Sequence, residues 1–203
     1  MRVAVIGISG RVGSRVAAEL LARGHSVTGI ARTPDAVASR PGLTVVRANA
    51  EDAAALTPLL RGHDAIISAS RFVTSNANVL LAAAKGADVK RLLVVGGAGS
   101  LEVAPGKLLM DTPEFPDAYK AEARAGGRFL NILRQEKDVD WTFLSPSADF
   151  APGKRTGSFR LGKDQLLIDA EGRSWVSMED YAIAMVDELE RPRHSRARFS
   201  VGY

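Results

Sequence analysis

Six short apolar runs recur along the chain: RVAVI (2–6), SVTGIA (26–31), LTVVR (43–47), DAIISA (64–69), RLLVVG (91–96) and WTFLS (141–145). Between them the apolar positions take helical spacing, as at Val12, Val16 and Leu20, a stripe that Gly24 ends. Strands buried on both faces read as continuous apolar runs, and parallel neighbours need a crossover, usually a helix, to bring the chain back. The alternation therefore predicts an α/β fold: a doubly wound, mainly parallel sheet with helices on both faces. At 203 residues, 46% of them hydrophobic and 25% charged, the chain is expected to form one folded domain, 1–203, with a full core.

Several segments carry finer expectations. TPDAVASR places Thr33 as N-cap and Pro34 at the first position of a helix. DAAALTPLLRG reads as a short or kinked helix because Pro58 removes a hydrogen bond from its second turn. Helices are predicted over 75–85 and 117–135. After Pro146 the alternation lapses into Gly-rich turns between short strand candidates, with EGRS as a hairpin turn. A helix then returns in MEDYAIAMVDELE, with Tyr181, Met185 and Leu189 on one face. Residues 146–203 are expected to build most of a small substrate-side lobe on the same domain.

The turn after the first strand, GISGRVG, holds Gly7, Gly10 and Gly13. Glycines there permit a tight bend, close approach of a pyrophosphate to the backbone, and packing of the helix on the strand, while the helix amides face the anion. The spacing is G-x-x-G-x-x-G, one residue wider than the G-x-G-x-x-G form, and its place after the first strand points to a dinucleotide site. Beyond the second strand GIARTPD offers Arg32 and Thr33 and no acid before Asp35. A carboxylate there suits a ribose 2′-hydroxyl and an arginine suits a 2′-phosphate, so NADPH is expected, with NADH as the alternative. Arg11 is either a second cation on that phosphate or a solvated residue at the helix start.

The motifs GISGRVG, ARTPD, DAIISA, VVGGAGSLEVAPG, DTPEFPDAYKAEA, WTFLSPSADFAPGKRTG and VSMEDYAIAMVDELE together resemble the atypical short-chain dehydrogenase/reductase group of NAD(P)H-binding proteins. That group includes NmrA-like proteins, the biliverdin-IXβ/flavin reductases and NADH-flavin reductases. The resemblance implies a Rossmann fold with strand order 3-2-1-4-5-6 plus an extra strand or two. It assigns Gly7, Ser9, Gly10, Arg11, Val12 and Gly13 to the pyrophosphate loop, Arg32 to the 2′-phosphate, and Asn49 to the adenine, where the family usually has an acid. Ala69 and Ser70 fall beside the cofactor, Gly97 to Ser100 under the nicotinamide, and Pro146, Ser147 and Ala148 along the carboxamide.

One departure bears on mechanism. The larger superfamily places a Tyr four residues before a Lys, so that a phenol lowered by the ammonium passes a proton to the substrate oxygen. Here Tyr119 and Lys120 are adjacent and Pro116 stands four before Lys120. Lys120 is left as a contact to the nicotinamide ribose, Tyr119 as a pocket or packing residue, and Ser100, just past the fifth strand, as the best proton donor. Asp111 and Asp149 are further pocket candidates, and Phe150, Phe159 and Trp175 are aromatic walls or core. Glu179 and Asp180 suit the start of the last helix.

The reaction expected is hydride transfer from NADPH to a flat conjugated acceptor: a flavin, a quinone or a tetrapyrrole-like compound. Such an acceptor spreads the charge left by hydride addition and does without a strong acid. The alternatives are an NmrA-like NADP(H) sensor without catalysis and an NAD-dependent epimerase or dehydratase. With no cysteine, thiolate chemistry and disulfides are excluded, and His25, His63 and His194 are too scattered for a metal site. His25 and His63 are expected at helix C-termini. The net charge of +4 gathers partly in RPRHSRARFSVGY, read as a solvated basic loop before a last strand, with no nucleic-acid motif. No run reaches the roughly 18 apolar residues of a membrane span, and no signal peptide precedes the first strand, so a cytoplasmic protein is expected, with a homodimer left open.

Overall fold

A computed structural model describes residues 1–203. Its strands are β1 (Arg2–Ile6), β2 (Ser26–Ala31), β3 (Leu43–Arg47), β4 (Ala65–Ser68), β5 (Arg91–Val95), β6 (Glu102–Ala104), β7 (Lys107–Leu108), β8 (Asp140–Pro146), β9 (Asp149–Ala151), β10 (Arg160–Gly162), β11 (Trp175–Ser177) and β12 (Ala197–Gly202). Its helices are α1 (Arg11–Ala22), α2 (Ala53–Leu60), α3 (Ala77–Gly86), α4 (Asp117–Leu133) and α5 (Met178–Glu190).

One sheet of eight strands runs in the order β3-β2-β1-β4-β5-β8-β12-β10, parallel throughout except for β10 against β12. The first six positions reproduce the 3-2-1-4-5-6 order of a Rossmann sheet, and β12 and β10 are the two added strands. All six apolar runs are strands of this sheet. Along β1, Val3 and Val5 enter one core with Val16 and Leu20 of α1 and Tyr181, Met185 and Leu189 of α5. Ala4 and Ile6 enter the other with Leu56 of α2, Leu80 of α3 and Phe129 of α4. This is the two-residue alternation of a strand covered on both faces. The chain reverses direction across the sheet between β1 and β4, which leaves a crevice at the carboxyl ends of those strands.

Pro58 lies inside α2, which is held to eight residues and opens on Asp52, whose carboxylate accepts from the Ala55 amide. The helix expected after Thr33 is corrected to a single 3-10 turn, Pro34–Ala36, in which the Thr33 side chain makes no cap bond. Val37 takes an extended conformation (φ −103°, ψ 119°), which ends the helical run after one turn. EGRS does form a turn, with Gly172 at φ +81° and one bond across it from the Asp169 amide to the Arg173 carbonyl at 2.8 Å, but no strand ladder extends from it as a hairpin. Asp169 gathers the amides of Glu171 and Arg173 and the Trp175 indole N–H, and β11 pairs in parallel with β9 instead.

The basic tail is a solvated loop at Arg191, Arg193 and Arg196 that leads into β12, as expected, and the correction falls on Arg198 alone. Arg198 turns inward, its side chain 4% exposed, and donates through Nε to Asp164 at 2.8 Å. His194 stacks on Phe199 and pairs with the buried Glu188. No helix is long and apolar enough to cross a membrane.

Candidate functional site

The glycines of the first turn are there for space. Gly7 takes φ +82°, and a Cβ on it would stand 2.8 Å from the Ala69 carbonyl oxygen. A Cβ on Gly13 would stand 2.2 Å from the Gly7 oxygen, so the start of α1 is pressed onto the end of β1. Gly10 is different: its φ is −75°, and an added Cβ would meet only the Gly7 oxygen, at 3.2 Å. On its outer side the bend is open.

The helix that follows is left electrically bare. α2, α3 and α5 each begin with a side chain accepting an amide, from Asp52, Asn76 and Ser177. α1 begins on Gly10 with no side-chain cap and no acid in its first turn, and the amides of Arg11, Val12 and Gly13 find no acceptor in the chain. Unpaired amides at the positive end of a helix are a ready anion site. A cradle that side chains would fill, opening on three free donors, fits a pyrophosphate.

Two pockets continue from this point along the carboxyl edge of the sheet. The first, about 220 Å³, is lined by Gly7, Ser9, Gly10, Arg32, Asn49, Ala69 and Ser70, with Arg71 beside them. No carboxylate lines it. Arg47, at the end of β3, donates to the Arg32 carbonyl at 3.0 Å and stands 3.5 Å from Asp35, so the nearest acid of the loop has a cation of its own. Thr33 is exposed and outside the pocket, and Asn49 bends its own loop by accepting the Glu51 amide.

The second pocket, about 430 Å³, lies over the ends of β5 and β8 and is lined by Gly97, Ser100, Tyr119, Pro146, Ser147 and Ala148 from among the expected residues. Arg11 lines this pocket and not the one around Arg32, which corrects its reading as a second cation on the same phosphate. Val12 is partly buried against the core, and Gly13 is buried. Phe72 and Phe143 stack at 5.8 Å between centroids and form the floor, and Phe150 closes one wall while tilting onto Tyr181. Phe159, Trp175 and Asp111 lie outside it, and Asp149 lines its rim.

The proton-transfer candidates do not converge. Lys120 is not among the lining residues, and its ammonium sits 2.6 Å from Asp117 one turn back on α4. Tyr119 lines the mouth with 64% of its surface exposed. Ser100 accepts a hydrogen bond from Arg198 at 3.1 Å, which leaves its own hydroxyl proton free.

Glu122 escaped the sequence reading. Its carboxylate lines the cleft and accepts the amides of Phe72 at 2.7 Å and Val73 at 3.2 Å, so it fixes the floor from across the pocket. The available signal was an acid in register with Gly126, Phe129 and Leu133, the buried stripe of α4.

The lobe beyond Pro146 is pinned by α5. Asp180 is fully buried and accepts from the Thr156 and Gly157 amides, the Thr156 hydroxyl and the Tyr203 hydroxyl. Burial pushes its carboxyl up, but the donors from Thr156, Tyr203 and Gly157 outweigh burial and hold it below the ordinary range. Glu179 takes Arg15 of α1 and the Gly153 amide, so both acids play the structural part expected of them. The Tyr181 hydroxyl donates to the Leu144 carbonyl of β8 at 2.7 Å, and burial holds that phenol well above its ordinary pKa.

The histidines stand outside both pockets. His63 meets the Leu60 carbonyl at the end of α2 as expected. His25, mostly buried rather than on the surface, pairs with Glu190 at the end of α5. No three His, Cys, Asp or Glu side chains are grouped to hold a metal ion.

A family described as NAD(P)H-binding matches residues 7–192. The chain belongs to that NAD(P)H-binding family. It is 41% identical over 208 residues to the uncharacterized protein YwnB of Bacillus subtilis, covering 99% of this chain and 98% of that one. A solved structure from Bacteroides thetaiotaomicron, provisionally named an epimerase, is 44% identical, with all of this chain and 96% of the other aligned at a TM-score of 0.93. One from Streptococcus pneumoniae, provisionally named an NADH-flavin reductase, is 33% identical over all of this chain and 99% of its own, at a TM-score of 0.80. The crevice at β1 and β4 is the place where open α/β sheets of this kind take their ligands.

Proposed function

We propose that the protein is an NADPH-dependent reductase whose acceptor is a flat conjugated molecule such as a flavin, a quinone or a tetrapyrrole-like compound. One observation carries this reading: the cleft over β5 and β8 has an aromatic floor and no Tyr–Lys acid, since Lys120 is held by Asp117 and Tyr119 stands in solvent. Bound NADPH would supply the hydride, and the protein supplies binding, orientation and exclusion of water.

In this reading the free amides of α1 and the backbone at Gly7 and Gly10 hold the pyrophosphate. Arg32 holds the 2′-phosphate in a pocket without carboxylates. Gly97 and Pro146 to Ala148 border the nicotinamide end, and Glu122 keeps the floor at Phe72 in place. Ser100 donates the proton, its oxygen already held by Arg198. A conjugated acceptor tolerates so weak an acid because the added electrons are delocalised, whereas an isolated ketone would need a stronger one. The preference for NADPH, the acceptor class and a cytoplasmic location belong to this proposal together.

Steady oxidation of NADPH on addition of FMN, riboflavin or a quinone tests it. Tight NADPH binding with no turnover against any of them would favour the sensor reading, which the lack of an acid also suits. Retention of NAD through purification would favour an epimerase, the name carried by one relative.

A further inference from the structure

On the other side of Ser100 from the nicotinamide end lies a cavity of about 590 Å³, larger than either pocket of the dinucleotide crevice. Its size is that of a small-molecule site. Its walls are α4, the β6–β7 hairpin and the segment at Asp164 and Gln165, and its lining is dominated by arginine: Arg124, Arg128, Arg134 and Arg198. Only Glu102 and Asp164 carry opposing charge there.

The carboxylate of Asp164 is already engaged. It takes Arg198 at 2.8 Å and stands 3.6 Å from Arg134. Arg124 and Arg128, one turn apart on α4, are exposed and pair with no carboxylate. Two unneutralised guanidiniums on one wall of a concave surface concentrate positive potential inside it. Their planar donor forks match the paired oxygens of phosphate or carboxylate.

A partition separates this cavity from the cleft. A Cβ on Gly99 would stand 2.6 Å from the Ala123 Cβ, so α4 is in contact with the chain leaving β5. Met110 fills the space beyond, its Cβ 3.5 Å from the Cβ position of Gly99 and its Cε 3.6 Å from that of Gly127. Ser100 alone lines both sides.

We propose that this cavity is a second ligand site, taking a small molecule through its phosphate or carboxylate groups and separate from the site of the acceptor. Arg124 and Arg128 provide the contacts, while Arg198 and Asp164 form the fixed base.

Calorimetric titration of pyrophosphate tests it, at constant ionic strength set with potassium chloride, into the wild-type protein and R124Q/R128Q, each with and without saturating NADP+. The expected result is binding that persists beside NADP+ and weakens at least tenfold in R124Q/R128Q, while R61Q/K137Q, which removes the same charge elsewhere on the surface, leaves it unchanged. Both residues are exposed, and unchanged thermal melts of R124Q/R128Q without ligand will establish that the fold is intact. Equal affinity in R124Q/R128Q, equal weakening in R61Q/K137Q, or no binding once NADP+ is present would overturn the site. Should NADP+ itself fail to bind, the dinucleotide reading falls, and the titrations without NADP+ still report on the arginines alone. A preference for FMN over riboflavin as acceptor that disappears in R124Q/R128Q would show that the cavity holds the acceptor's own tail and would overturn its separateness.

Discussion

One guanidinium nitrogen of Arg198 donates to both the hydroxyl and the carbonyl oxygen of Ser100, at 3.1 Å each. The arginine comes from β12 and the serine from the loop after β5, so the added strand of the sheet sets a polar side chain at the nicotinamide end. Because Ser100 Oγ is the acceptor in that contact, its proton points elsewhere. Ser100→Ala is expected to lower kcat with a flavin about tenfold, less than the roughly 10²–10⁴-fold worth of a well-matched general acid, because a serine hydroxyl is a weak one. The Kd for NADPH should stay within about twofold, a small change on the affinity scale. Stopped-flow reduction of the acceptor checks this, and an unchanged rate would assign the proton to water.

Arg198 itself is nine-tenths buried while its partner Asp164 stays half in water. Removing one member of a fully buried pair costs about 3–5 kcal/mol, and solvent around the other member reduces that. Arg198→Gln is therefore expected to destabilise the fold by roughly 1–2 kcal/mol. A urea melt measures it, and a loss below a few tenths of a kcal/mol would place this contact among ordinary surface pairs.

Arg32→Ala is expected to weaken NADPH by roughly 10- to 100-fold, the worth of a charge-assisted contact to phosphate, and NADH hardly at all. The pocket around Arg32 contains no carboxylate that would instead favour a 2′-hydroxyl. Equal losses for the two coenzymes, measured by fluorescence titration, would rule out the phosphate contact.

The glycines separate binding from folding. Gly10→Val adds atoms to the open side of the turn, where the built Cβ meets only the Gly7 oxygen, so the protein should fold and lose coenzyme affinity. Gly13→Ala puts a methyl 2.2 Å from the Gly7 oxygen, inside van der Waals contact, and should cost about 1–3 kcal/mol of stability through backbone displacement. Thermal melts beside NADPH titrations distinguish the two, and a Gly10→Val protein that binds normally would remove the loop from the site.

The parts of this molecule legible in its sequence are those governed by short-range pattern. The six core strands and α1, α3, α4 and α5 follow apolar period, and the phosphate turn follows from glycines whose freedom of space is local. What stayed hidden depends on partners far along the chain. Glu122 reaches amides 50 residues away, Arg198 finds Ser100 and Asp164, and β9 pairs with β11 across Ser174 and the Asp169 turn. Thr33 misled because Pro34 does start a helical turn, and the extended backbone at Val37 ends it after three residues. Lys120 and Tyr119 were kept as candidates by position in a motif, yet the helical register of α4 turns Lys120 to Asp117.

The lobe that walls the cleft should be sensitive to acid through Asp180. Its carboxyl lies below the ordinary value of 3.8 in the folded protein, because four donors outweigh the cost of burying it. A depressed carboxylate adds stability that is complete above the unfolded pKa and is lost as pH falls through the folded one. The loss is thus expected below about pH 4, where the Thr156 and Gly157 amides and the Tyr203 hydroxyl give up a charged acceptor. Asp180→Asn keeps the size of the side chain, replaces one acceptor oxygen by a donor, and leaves buried groups facing it unpaired, so it should destabilise the protein by about 1–3 kcal/mol at pH 7 and less in acid. Chemical denaturation of both proteins between pH 3 and pH 7 follows the difference, which should narrow as the pH drops, and a gap that holds constant would mean that the charge on Asp180 contributes nothing to anchoring the lobe.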